Sequence, residues 1–181
     1  MPNIHPMFVH FPIALIFVTV AIDFIGLILK KERFLFAGTV TSLFALAGAV
    51  GAVVTGLVAE DSTWHPAAVH DMLETHELMG FIVLGLIALL AIFRLAMHDK
   101  LTDKMGWIAF GIGIITIGFT TYGGYLGGEM VYTHGAGVIA TENYYQKNLK
   151  LEKEVQELRG TQNQLPSESK NDRGHGTEHD D

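Results

Sequence analysis

The chain has 181 residues, a net charge of −7 and no cysteine. Without cysteine it cannot form disulfides, thiolate metal sites, thioether-attached haem or cysteine-ligated iron–sulfur clusters. The acidic balance and the lack of a basic patch argue against nucleic-acid binding. Fifteen of the 31 charged residues lie in the last 41 positions, so an apolar body is followed by a hydrophilic tail.

Four apolar stretches follow one another, and each is long enough to cross a bilayer, which takes about 20 residues. They cover residues 7–29, 34–59, 78–97 and 105–126. Backbone groups in lipid must be hydrogen-bonded within their own segment, so each stretch is predicted to be a helix. The sequence therefore predicts an all-α fold, with a four-helix transmembrane bundle in residues 1–140 that contacts the lipid bilayer.

The hydrophilic tail divides into two predicted parts. Residues 141–159 are predicted to form a charged extramembrane helix, and residues 160–181 are polar enough to be a disordered tail. Side chains of the predicted helix recur at two heptad positions, Tyr144, Leu151 and Leu158 at one and Asn148 and Val155 at the other. This spacing suggests a homodimer through residues 144–158.

The basic residues of the short loops predict the orientation in the membrane. The turn at 30–33 holds three basic residues, and the stretch 94–104 holds Arg94, Lys100 and Lys104. Segments 1–6 and 60–77 hold none. The positive-inside rule then makes the first two turns cytoplasmic. We expect a multi-pass protein of the bacterial inner (plasma) membrane with both termini on the outer, periplasmic side.

Six of the nine histidines fall at the outer ends of the predicted helices or in the outer loops. They are His5, His10, His65, His70, His76 and His134. Imidazole is the commonest metal ligand and an axial ligand of haem, so the cluster indicates a cofactor site. The alternative is that these side chains only cap helix ends and bind loop carbonyls.

Two of these histidines are the first candidates for haem ligands. His10 and His76 lie nearest the hydrocarbon boundary while still within predicted helices. Each has a small residue one turn deeper, Ala14 and Gly80, which leaves space for a porphyrin. The sequence thus predicts axial ligation of b-type haem by His10 and His76. His5, His70 and His134 are alternate ligands or supporting residues.

A metal-ion site is the second hypothesis. The ligands His10, His76, His70 and His134, joined by Glu129, suit an outward-facing copper or zinc binding or transport module. A cofactor-free scaffold subunit of a membrane complex is the third hypothesis. The three hypotheses describe an electron carrier, a metal-binding protein and a scaffold, and all three favour a role other than that of a stand-alone enzyme.

Asp23 is the one acidic residue well inside an apolar stretch. An intramembrane carboxylate is a functional hypothesis by default, for example as a proton relay. Arg94 lies near the same end of its own span, however, so an Asp23–Arg94 ion pair is the alternative and favours a structural role.

The opening string His5-Pro6-Met7-Phe8-Val9-His10-Phe11-Pro12-Ile13-Ala14-Leu15 resembles that of bacterial membrane proteins of the domain-of-unknown-function 2231 family. Further matches are Asp23, Thr55-Gly56, Thr75-His76 with Gly80, and the segment from Gly127 to Tyr132. The resemblance covers roughly residues 4–140 and implies four membrane helices. Relatives joined to c-type cytochrome or Rieske-like domains imply electron transfer, with a c-type cytochrome or another redox membrane complex as partner.

Overall fold

The computed structural model describes residues 4–62, 64–101 and 104–164, and regular secondary structure in these ranges is entirely helical. The long helices are α1 (His5–Leu29), α2 (Glu32–Ser62), α3 (His70–Ala96), α4 (Lys104–Tyr132) and α5 (Ile139–Gln164). Short 3-10 turns at Ala67–Val69 and His98–Lys100 precede α3 and follow it. Residues up to 142 form one compact unit, and a second unit begins at residue 143. The predicted all-α class is confirmed.

Helices α1 to α4 form an antiparallel bundle in which each helix packs mainly on two neighbours. Both α1 and α3 pack against α2 and α4, so α1 and α3 stand diagonally opposite each other. Alternation of direction places the beginnings of α1 and α3 beside the ends of α2 and α4. We call this the histidine end, and we call the opposite end the charged end.

The connection between α1 and α2 is only two residues long and turns the chain at the charged end. Lys30 adopts the left-handed conformation (φ 50°), as is common just after a helix. The backbone N–H of Lys31 then donates to the carbonyl of Gly26 at 3.0 Å. Because two residues cannot carry the start of α2 away from the end of α1, α2 must pack antiparallel against α1.

The outward surfaces of the bundle are apolar, and its centre is narrow. Ile16, Ala45, Ile87, Leu90 and Ala109 are fully buried around the bundle axis. Large apolar side chains point outward instead, among them Phe17, Phe36, Phe44, Ile92 and Ile115. All four helices are long and apolar enough to cross a membrane. An apolar exterior of this kind needs lipid around it.

The helices extend further than the apolar stretches that predicted them. Helix α3 begins at His70 instead of 78, because acidic residues in its first turns favour a helix N-terminus that projects beyond the lipid. Helix α4 runs to Tyr132 instead of stopping at 126, and it continues through four closely spaced glycines, Gly123, Gly124, Gly127 and Gly128. The hydropathy of a segment marks its passage through hydrocarbon and not the ends of its helix.

Helix α5 is longer than the charged helix expected over 141–159. It continues through Gly160 to Gln164, so the first five residues of the tail expected to be disordered are helical. Thr161 Oγ1 donates to the Glu157 carbonyl at 3.0 Å across this point. The single glycine costs only about 1 kcal/mol in a helix, which the flanking turns tolerate. The rest of the predicted tail, 165–181, lies outside the described residues.

Candidate functional site

Two histidines from the diagonal helices meet at the histidine end. His5, the first residue of α1, and His76, in the second turn of α3, have ring centroids 6.4 Å apart. Their ring planes are perpendicular, at 90°. Both side chains are half-buried between the surrounding helices. The fold therefore brings together two imidazoles that lie 71 positions apart in the sequence.

Each of these rings is oriented by a backbone carbonyl of a neighbouring helix. His5 Nδ1 donates to the Ala52 carbonyl of α2 at 3.0 Å, and Thr55 Oγ1 lies 3.3 Å from the same nitrogen. His76 Nδ1 donates to the Gly123 carbonyl of α4 at 3.0 Å. A proton on Nδ1 makes Nε2 the basic nitrogen of a neutral imidazole. This is the tautomer that binds metals through Nε2, with the other nitrogen hydrogen-bonded.

Glycines of the same two helices make room for the rings. A Cβ atom at Gly56 of α2 would lie 3.1 Å from His5 Cε1. A Cβ atom at Gly127 of α4 would lie 3.1 Å from His76 Cε1. Both distances are tighter than ordinary contacts, so a larger residue at either position would push its imidazole aside. Each ring is thus held by a carbonyl and a glycine from one neighbouring helix.

The segment after α4 returns to the loop that precedes α3. Gly135 and Gly137 adopt positive φ angles of 68° and 74°, and the Gly137 N–H donates to the Trp64 carbonyl at 3.0 Å. His134 Nδ1 donates to the backbone carbonyl of Glu129 at 3.3 Å. The bond between Gly137 and Trp64 joins the two loops to each other at the histidine end.

The other predicted ligands occupy different surroundings. His10 is exposed and hydrogen-bonds through Nδ1 to the Pro6 carbonyl of its own helix. His70 is exposed, with Nε2 3.4 Å from Glu74 Oε1. His65 and Glu129 are half-buried. Within the described residues, no group of three or more histidine or acidic side chains is arranged to hold a metal ion. Ligation by His10, His70, His134 or Glu129 stays a prediction.

The charged end holds a second link between α1 and α3. Arg94 of α3 and Asp23 of α1 form an ion pair at 2.5 Å, and both side chains are almost completely buried. Arg94 also donates through Nε to Thr39 Oγ1 at 3.2 Å and through a terminal nitrogen to the Leu35 carbonyl at 2.5 Å. The guanidinium therefore joins three helices, and the expected Asp23–Arg94 pair is present.

A glycine of α2 makes this link possible. A Cβ atom at Gly38 would overlap Asp23 Oδ1 and would lie 2.6 Å from a terminal nitrogen of Arg94. Within the part of the chain that the structure describes, Asp23 Oδ1 is a buried side-chain oxygen without a hydrogen-bond donor. Arg94 is buried in the ion pair with Asp23 and is not a free basic residue of the loop. The positive-inside argument for the second turn therefore depends on Lys100 and Lys104.

A comparison with known families covers most of the bundle. The family of predicted membrane proteins with domain of unknown function 2231 (DUF2231) matches residues 1–140. The chain belongs to this family. The DUF2231 domain accounts for α1 to α4 and both links between α1 and α3, whereas all but the first two residues of α5 lie beyond it. No curated protein and no solved structure matches the chain.

In the DUF2231 domain, the residues that form the two links recur at one spacing along the sequence. Eighteen residues separate His5 from Asp23, His76 from Arg94, and Gly56 from Gly38. Eighteen residues make five complete helical turns and about 27 Å, so the members of each pair share one face of their helix. This spacing is the signal by which His5 could have been recognised as the partner of His76.

Proposed function

We propose that this DUF2231 protein is an integral membrane electron-transfer protein that binds b-type haem through His5 and His76. The supporting observation is the separation of their rings, 6.4 Å between centroids. Two imidazoles that bind one metal from opposite sides, with metal–nitrogen bonds of about 2.0–2.1 Å, place their ring centres about 6 Å apart. The observed distance fits a shared metal.

The chemistry of the donor set also fits axial ligation. Both rings carry the hydrogen bond on Nδ1, as histidines that bind metal through Nε2 do. Carbonyl acceptors raise the basicity of the ligating nitrogen and fix the ring plane. His5 takes the place that the sequence had suggested for His10, while His76 keeps its role in the proposal.

A bound haem would supply one-electron chemistry, and the protein would supply its position and surroundings. His5 and His76 would hold the iron at the histidine end, with ring orientations set by α2 and α4. The apolar helix faces around them would keep water from the deeper side. A c-type cytochrome or another redox membrane complex, meeting the histidine end, is the proposed electron partner.

Optical spectra of the full chain in mild detergent test the proposal directly. Oxidised and dithionite-reduced samples of the wild type should show a sharp Soret band, a reduced α band and iron near one equivalent. His5→Ala and His76→Ala should lose these bands while keeping their helical circular dichroism. His10→Ala is the matched control, because its ring is exposed and bonded only to its own helix. Its spectrum should be unchanged.

Other outcomes would replace the proposal. Loss of the spectrum in His10→Ala but not in His5→Ala would assign the ligands to His10 and His76. Colourless, metal-free protein from haem-replete cells, retaining its fold, would contradict cofactor binding and support the scaffold hypothesis.

Copper is the second candidate ligand. A Cβ atom at Gly123, the residue whose carbonyl accepts the His76 hydrogen bond, would lie 3.5 Å from Met79 Cβ, so Met79 is a candidate thioether ligand beside His76. Copper(I) accepts both imidazole and thioether ligands. Colourless protein with near-stoichiometric copper, lost in His5→Ala, would favour this function over haem. Zinc fits less well, because it usually takes four ligands or three and a water.

We also propose that the histidine end faces the periplasm from the bacterial inner membrane. The positive-inside rule supports this orientation, because the basic loop residues lie at the opposite, charged end. They are Lys30, Lys31 and Arg33 at the α1–α2 turn and Lys100 and Lys104 after α3. Alkaline phosphatase fused after residue 134 should be active, and the same enzyme inserted in the turn after α3 should be inactive. The opposite pattern would reverse the orientation.

A further inference from the structure

Helix α5 carries an exposed apolar stripe outside the DUF2231 domain. Along it, Tyr144, Leu151, Val155 and Leu158 are 69%, 48%, 45% and 64% exposed. They are spaced by seven, four and three residues, which places them along one face of the helix. A shallow groove on the same face is lined by Asn148, Leu151, Glu152, Val155, Gln156 and Arg159.

We propose that α5 pairs with α5 of a second copy as a parallel two-stranded coiled coil. In this register, Asn148 and Val155 occupy a positions, and Tyr144, Leu151 and Leu158 occupy d positions. A β-branched residue at a with leucine at d favours two strands over three or four. A single asparagine at an a position fixes the register, because its amide pairs only with the same residue of the partner helix.

Charges beside the stripe match a second copy in this register. The flanking g positions hold Lys147 and Glu154, and the flanking e positions hold Glu152 and Arg159. In a parallel pair each g residue faces the e residue five positions later in the other helix. Lys147 then faces Glu152 of the other copy, and Glu154 faces Arg159. Every charged g-to-e contact in the stripe is attractive, which selects the same chain as partner.

The membrane domain favours this pairing. Two copies inserted with the same topology begin α5 at the same membrane surface, only a few residues after α4. Both helices therefore start at corresponding positions, as a parallel arrangement requires. Two heptads are marginal for free helices, but confinement to one membrane raises the effective concentration of the two segments.

Cysteine cross-linking in the full chain tests the arrangement, since the native sequence contains no cysteine. Leu158→Cys, at a d position near one end of the stripe, should form a disulfide-linked dimer in liposomes under mild oxidation. Lys153→Cys is the matched control, because position f faces away from the partner. We expect Leu158→Cys to cross-link roughly tenfold faster than Lys153→Cys, as a seam position brings the two Cβ atoms within disulfide range. Equal rates would overturn the proposal.

Charge variants test the register independently of cross-linking geometry. Glu154→Lys turns the two Glu154–Arg159 contacts of the dimer into repulsions and should weaken association roughly fivefold. The double variant Glu154→Lys/Arg159→Glu should restore it. Failure of the double variant to restore association would overturn the parallel register. Cross-linking of Tyr144→Cys to Leu158→Cys in mixed samples, without Leu158–Leu158 dimers, would overturn it in favour of an antiparallel pair.

Discussion

The two ends of the bundle link the same helices with different chemistry. At the charged end, Arg94 bonds to a carboxylate, a hydroxyl and a carbonyl, and the whole group is buried. At the histidine end, two half-buried imidazoles are oriented by carbonyls of α2 and α4. The difference indicates that the two ends have different roles. The charged end fixes the diagonal pair α1 and α3, and the histidine end presents two oriented imidazole rings.

Removing the carboxylate at the charged end should have the largest effect. Asp23→Asn leaves Arg94 buried without its counter-ion, which we expect to cost about 3–5 kcal/mol of unfolding free energy. Unfolding in a titration with sodium dodecyl sulfate, followed by circular dichroism, measures the change. Asp99→Asn is the control, because its side chain is 81% exposed. Equal stability of the two variants would show that the buried ion pair does not hold α1 to α3.

Filling the space at Gly38 should disturb the same link without removing a charge. The Cβ atom of Gly38→Ala would overlap Asp23 Oδ1, so we expect a loss of about 1–3 kcal/mol in the same titration. Gly85→Ala in α3 is matched, since nothing lies within 4 Å of its Cβ position. That variant should be neutral or stabilised by up to about 1 kcal/mol, through helix propensity. Destabilisation by both variants alike would refute the steric explanation.

A glycine change at the histidine end should affect ligand binding more than stability. Gly127→Ala presses on His76 from 3.1 Å and must shift the ring by a few tenths of an ångström. We expect cofactor affinity to fall about 10-fold or more, as for changes that misorient metal ligands, with less than about 1 kcal/mol lost in stability. Gly124→Ala, which meets nothing within 4 Å, should keep the wild-type affinity. Titration of both variants with haem, followed by the Soret band, measures the two affinities. Equal affinities would contradict this explanation.

The smallest effect is expected at an exposed histidine of the same end. His70 and Glu74 form an i,i+4 contact in which both side chains are more than 60% exposed. His70→Ala should therefore change stability by less than about 0.5 kcal/mol and leave the optical spectrum unchanged. Loss of the spectrum in this variant would extend the site beyond His5 and His76.

The sequence predicted the depth of each residue better than the direction in which it points. Hydropathy and the hydrogen-bonding demand of lipid are strong constraints, so the four spans and the histidine-rich end followed from them. Asp23 and Arg94 lie near the same membrane surface in two spans that run in the same direction, which suggested their pairing. Depth favoured His10 over His5, because His10 lies nearer the hydrocarbon boundary. Their separation of five residues also rotates the two side chains about 140° apart on α1, and depth carries no information about that rotation.

The missing information was the face of each helix. Asp23 lies on the inward face of α1, and His5 is five complete turns before it, so the two point the same way. The roles of Gly56 and Gly127 could not be predicted from local sequence, because their contacts are with histidines of other helices. The glycines near the end of α4 do not break the helix, and of these only Gly127 is in a tight contact with another helix.

The two-residue turn between α1 and α2 has a consequence for how the protein is made. The first two spans can enter the membrane as one helical hairpin, and that hairpin already contains Asp23, Leu35, Gly38 and Thr39. The counter-charge Arg94 is synthesised 71 residues after Asp23. During biogenesis the hairpin therefore contains Asp23 before its counter-ion has been made. The ion pair forms when α3 inserts and brings Arg94 beside it. Arg94, itself costly to place in lipid, enters beside a prepared acceptor, so each span lowers the insertion cost of the other.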